Sequence, residues 1–161
     1  MLRVPRLATG LSVLALALAV SPLGAQTGPQ LTAPPVAGTV PLRPGFLPDP
    51  QTTSGTTRGT IDASNFAPNC SGFVGAPPDH ALVLRGAEPW MRIYVTSPID
   101  TTLVVRRPDG SWLCSDDAFG RNPALDGAFP AGRYLVWVGA YHAGAQAPYV
   151  LAFTELQSNH P

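Results

Sequence analysis

Apolar residues in this chain recur at alternate positions within short runs, and turn-forming residues separate the runs. In residues 90–95, Met91, Ile93 and Val95 point to one side and Trp90, Arg92 and Tyr94 to the other, the two-residue period of a half-buried strand. Met91, Ile93 and Val95 are its predicted core face. Residues 101–107 are rich in β-branched side chains and stop at Pro108-Asp109-Gly110, so a strand there enters a hairpin. Residues 132–141 follow the turn Pro130-Ala131-Gly132 and are apolar on both faces, with Tyr134, Val136 and Val138 on one and Leu135, Trp137 and Tyr141 on the other. Such a strand is central, and it is either covered on both sides or left with an aromatic surface. Residues 149–155 alternate in the same way, shorter runs at 59–63, 71–74 and 80–84 add to the set, and no segment keeps a helical period. About eight short strands between Gly and Pro turns predict an all-β fold, an antiparallel β-sandwich of jelly-roll type.

The ends of the chain follow other patterns. Arg3 and Arg6 precede an apolar run over residues 7–20, and small Ala25 suits a cleavage position, so residues 1–25 read as a secretory signal peptide. The run is shorter than the ~20 residues that span a bilayer, which predicts a secreted or periplasmic protein with no membrane insertion after cleavage. Residues 26–57 are rich in Pro and Thr and poor in large apolar side chains, the composition of a semi-stiff, flexible tail. A single domain is expected over residues 58–157, with residues 158–161 disordered.

Composition narrows the partners. Ten basic and ten acidic residues balance, lysine is absent, and no basic run occurs, so neither nucleic acid nor an anionic membrane surface is an expected partner. An extracellular protein or a polysaccharide remains. The two cysteines, Cys70 and Cys114, predict one intramolecular disulfide in an oxidising compartment; their spacing does not match a zinc site.

Asp116 and Asp117 are the most suggestive polar pair, and two readings of them are open. Aspartates in a loop accept backbone N–H groups and form turns. Joined by Asp100, Asp109, Asn122 or Asp126, they would instead supply the oxygen ligands of calcium, the one cofactor this pattern suggests and one the fold does not require. Histidines occur at 80, beside a proline turn, at 142, in a loop, and at 160, in the tail, and no serine stands in a Gly-x-Ser-x-Gly or Gly-Asp-Ser-Gly context, so no enzyme is expected; a small secreted hydrolase or protease-associated factor, or a purely structural envelope protein, are the alternatives. Two aromatic sets are candidate ligand surfaces, Trp90 with Arg92 and Tyr94, and Trp137 with Tyr141, unless they pack the sandwich. Trp112 stands two residues before Cys114, where it would cover the disulfide.

Five motifs, Asp100-Thr101-Thr102-Leu103, Pro108-Asp109-Gly110, Asp116-Asp117, Pro130-Ala131-Gly132 with Tyr134, and Trp137-Val138-Gly139, together resemble the bacterial pre-peptidase C-terminal domain. Cys70-Ser71-Gly72-Phe73-Val74 with Cys114 is similar to a small stand-alone branch carrying a cysteine pair. The resemblance spans residues 59–155. It implies a secreted β-sandwich that accompanies catalytic domains without bearing the nucleophile, in some members binding calcium and in some binding collagen or polymers.

Overall fold

The computed structural model describes residues 28–161; the predicted signal peptide lies outside them. Eleven strands run in chain order: β1 (Thr39–Leu42), β2 (Gln51–Thr56), β3 (Ile61–Asp62), β4 (Phe73–Val74), β5 (His80–Leu84), β6 (Glu88–Thr96), β7 (Thr101–Arg106), β8 (Trp112–Ser115), β9 (Ala124–Phe129), β10 (Gly132–Ala140) and β11 (Pro148–Thr154). They form a seven-stranded and a four-stranded sheet. In the larger sheet β10 is central, pairing with β5 and then β4 along one edge and with β7 along the other, while β8 extends the sheet beyond β7. The smaller sheet has the order β2-β11-β6-β9. Every pairing is antiparallel except that of β1 with β5.

The alternation in β6 and β11 builds the inner core. Met91, Ile93, Val95, Leu151 and Phe153 from the smaller sheet meet Leu82, Leu103, Val105, Tyr134, Val136 and Val138 from the larger one, all buried. The second apolar face of β10 is covered as well: Leu135 and Trp137 lie with Val104, Ala81 and Val74 under the segment that carries Ala63, Phe66 and Cys70. The strand is therefore covered on both sides. Trp137, a candidate for ligand stacking, is fully buried; its ring meets Phe66 at 5.4 Å and Trp112 at 5.5 Å, and Nε1–H donates to the Ala76 carbonyl. Trp112 packs in the same cluster as both half-cystines.

The structure corrects the flexible tail expected over residues 26–57. β1 and β2 form there, β1 closing the β5 edge of one sheet and β2 the β11 edge of the other. An edge strand contributes backbone hydrogen bonds and needs few apolar side chains, and Pro41 is tolerated in β1 because that strand has one neighbour. Leu42 and Phe46 supply core side chains. Upstream, the N–H groups of Gln30, Val36 and Ala37 donate to the carbonyls of Ala76, Pro78 and Asp79. The number of strands exceeds the predicted eight by β1, β2 and β9, while β8 is the returning arm of the hairpin expected after residues 101–107. The C-terminal end is also anchored. Asp49 accepts from the Thr154 hydroxyl, from Glu155 N at 2.9 Å and from Asn159 Nδ2 at 3.3 Å. Asp49→Ala is expected to lower stability by about 2 kcal/mol, since three donors lose a charged acceptor at a partly exposed site; the midpoint of urea unfolding reads the change.

Candidate functional site

The acidic pair joins a cluster of carboxylates at one end of the larger sheet. Asp116 and Asp117 follow β8, whose pairing with β7 sets Leu103 against Ser115. Asp100 immediately precedes β7, and its carbonyl accepts from Tyr141 N, so the end of β10 holds it. The disulfide supplies the third tether. Cys70 and Cys114 are bonded with their Cα atoms 5.2 Å apart, which brings Ser71 to Asp116, and the Ser71 hydroxyl donates to Asp116 Oδ2 at 2.9 Å.

Asp100, Asp116 and Asp117 can each direct one oxygen into a cluster whose atoms lie within 4.8 Å of one another. Asp100 Oδ1 and Asp116 Oδ1 are buried and accept no hydrogen bond. Burial raises the pKa of Asp116 above the usual carboxylate range; the Ser71 hydroxyl opposes the shift, and the negative charges of Asp117 and Asp100 reinforce it. Three converging carboxylates with two unserved oxygens form a hard, oxygen-only donor set, the kind that suits calcium. The other acids and amides considered from the sequence are engaged elsewhere. Asp126 pairs with Arg92, Asp109 accepts from the backbone and hydroxyl of Ser111, and Asn122 Oδ1 accepts from Ser97 N.

The aromatic face of β6 is not an open surface. Arg92 forms a two-pronged pair with Asp126 at 2.7 and 2.6 Å, donates to the carbonyls of Gln157 and Asn159, and lies over the rings of Trp90 and Phe119. His160 stacks on Phe119. The C-terminal segment thus runs along the side of β6 that Trp90, Arg92 and Tyr94 share, where the sequence suggested either a ligand or disorder at residues 158–161. Tyr94 is buried and Trp90 half-buried, whereas Tyr141, beyond the end of β10, is 49% exposed beside His142.

Sequence reasoning did not find a buried polar group behind β5. Asp79 accepts from Arg58 Nη2 at 2.8 Å and from Val138 N at 2.9 Å, and burial raises its pKa to about 6. Next to it His80 is fully buried, with Nε2 2.8 Å from the Tyr149 hydroxyl and Nδ1 without a partner; burial, and then the charge of Arg58, lower its pKa to about 4. The signal available was Asp-His directly after Pro77-Pro78, at the entrance to an apolar strand. Among the described residues no histidine nitrogen is hydrogen-bonded to a serine.

No protein-family model matches the chain. Over 84 residues, half of the chain, it is 34% identical to an uncharacterized protein of Synechococcus elongatus, and it spans 61% of that protein's length. Among solved structures it is similar to the pre-peptidase C-terminal domain of the collagenase from Bacillus anthracis, with a TM-score of 0.50 and 16% identity, over 76% of this chain and 98% of that one. Aeromonas hydrophila PliG, a periplasmic inhibitor of g-type lysozyme, aligns over 73% of this chain and 96% of its own at 16% identity, with a TM-score of 0.43.

Proposed function

We propose that this chain, a β-sandwich with the fold of a pre-peptidase C-terminal domain, is a non-catalytic interaction module. It works outside the cytoplasm on an extracellular protein or polysaccharide and takes one calcium ion between Asp100, Asp116 and Asp117. The observation that carries the reading is the convergence of these three carboxylates, with two buried oxygens lacking donors, where the disulfide-held loop after β8 meets the start of β7. The disulfide itself favours an oxidising compartment. The Bacillus anthracis domain of the same fold belongs to a collagenase, and a role beside an enzyme rather than as one agrees with the histidine positions described above.

Asp100, Asp116 and Asp117 would hold the ion, which would neutralise their mutual repulsion and tie the end of β7 to the end of β8. Protons compete with the ion: the raised pKa of Asp116 means that acidification fills this oxygen with a proton before it does so for an ordinary aspartate, so calcium affinity falls as the pH drops toward that raised value. Thermal unfolding of the oxidised protein in calcium and in a chelator tests the reading. Calcium at about 100 times its dissociation constant adds ~2.7 kcal/mol, a rise of roughly 10 °C in a domain this size. Asp116→Asn and Asp117→Asn are expected to abolish the rise. Superimposed curves with and without calcium would leave the aspartates as turn formers and remove the metal from the reading.

A further inference from the structure

Two adjacent arginines and a third distant in sequence meet around one pocket. Arg106 ends β7, Arg107 follows it into the hairpin turn, and Arg133 lies at the start of β10, two residues before Leu135, the register partner of Arg106. The two turns lie against each other. Gly132 has φ of 147°, and a Cβ on it would sit 2.5 Å from the Pro108 ring, an approach that only glycine permits. The resulting cavity is about 180 Å³ in volume; the three arginines line it with Leu31, Pro108 and Leu135.

Among the described residues, the only salt bridges are those of Arg58 and Arg92, so none of the three pocket guanidiniums is paired with a carboxylate. Asp109 is the one acid near enough to be influenced by Arg107, and it already accepts two hydrogen bonds from Ser111. Two of the guanidiniums are held in place by aromatic faces, Arg106 over Trp112 at 5.7 Å and Arg107 over Phe129 at 6.0 Å. Their Nε atoms are buried and have no acceptor. Buried donors without acceptors, on cations that are fixed and unpaired, call for an oxyanion.

We infer that Arg106, Arg107 and Arg133 form a binding pocket for the acidic groups of an anionic polysaccharide. The inference rests on the reading of the chain as an interaction module and names its ligand class. The cavity is too small for a compact organic ligand, for which pockets of roughly 300–1,000 Å³ are usual, so it takes one acidic group and part of its carrier at a time. Leu31, Pro108 and Leu135 offer apolar contact to the face of a sugar ring. An acidic peptide is the weaker fit: β7 is paired on both edges, with β10 and β8, and β10 is paired on both edges too, so an extended peptide finds no free ladder to join.

Titration calorimetry with polygalacturonate tests this, run at low ionic strength with a chelator present so that the carboxylate pocket plays no part. Binding is expected, with a loss of about tenfold or more in Arg133→Gln and in Arg106→Gln, competition by inorganic sulfate, and weakening as salt rises. Arg133 is exposed, so its variant folds even if replacing Arg106 does not; Arg121→Gln, an exposed arginine outside the pocket, should bind as wild type does. Absence of binding by the wild type overturns the inference, and so does an equal loss in Arg121→Gln, which would mean diffuse charge alone. Polyglutamate binding as tightly as polygalacturonate would overturn the polysaccharide in favour of a peptide. Capture of a neutral polymer or an exported protein together with failure here would overturn the ligand class and leave the module reading intact.

Discussion

Replacing Cys70 and Cys114 together with serine is expected to lower the unfolding free energy by ~4 kcal/mol, the loop-closure entropy released to the unfolded chain when a 44-residue link is cut. A domain typically has 5–15 kcal/mol in total, so the variant would keep the fold only with a reduced margin. The loss is local as well as global. The disulfide is what holds Ser71 against Asp116 and keeps the Ala63–Phe66 turn over Trp137, so the variant is also expected to lose the calcium response and to become fluorescent like solvated tryptophan at temperatures where the wild type is not. Denaturant titration of oxidised, reduced and Ser/Ser protein measures the effect. An unchanged midpoint would mean that the outer cluster holds this segment without the covalent link.

The second large effect is a pH dependence that two neighbouring residues hide from each other. Asp79 has a raised pKa, so the folded state holds its proton more tightly than the unfolded state; its contribution to stability is greatest near pH 4 and is lost as the pH rises through about 6. His80 has a lowered pKa, so its contribution is complete above pH 6.5 and is lost as the pH falls through about 4. Each shift corresponds to roughly 3 kcal/mol, and between pH 4 and 6 the slopes oppose. The contributions of these two residues are therefore expected nearly to cancel across this window, leaving the wild type with the gentler fall with pH that comes from Glu88, whose pKa burial and then the neighbouring Glu155 raise to about 7, and from Asp116. Asp79→Asn keeps an acceptor for Val138 N and should tilt the profile upward with pH relative to the wild type; His80→Gln should tilt it downward. Denaturation midpoints from pH 4 to 7 decide it, and parallel profiles for wild type and both variants would show that neither group titrates differently on folding.

What could be seen in the sequence followed from side-chain pattern. The alternation of Met91, Ile93 and Val95 and the two apolar faces of residues 134–138 led directly to the sandwich, because burial of alternating side chains is what fixes strand register. β1 and β2 escaped because the sheet gains their backbone groups more than their side chains, and β9 because Asp126 and Gly127 interrupt its pattern. The same limit applied to the sites. Asp116-Asp117 was visible as a pair, but Asp100 joins it through strand pairing and Ser71 through the disulfide. The arginine pocket had no sequence signature, since the turn contact between Pro108 and Gly132, with Leu31 beside it, assembles it from three segments. On the face of β6 the sequence leaves packing and ligand binding both open, because the residues that lie against it come from the distant 157–160 segment.

The placement of β2 also sets an order on how the molecule is made. β2 precedes nearly all of the sandwich, yet its one partner in the sheet is β11, and the link beside it, from Gly45 N to Glu155, joins residues 110 apart. Contacts this distant are slow to form, and here they cannot form until the last strand exists. A chain delivered from its N-terminus keeps this sheet open through synthesis or threading, and the smaller sheet is completed only when β11 arrives. Removing β11 would then leave β2 without a place to dock, so a truncated chain is marked by an unclosed edge that proteases can reach.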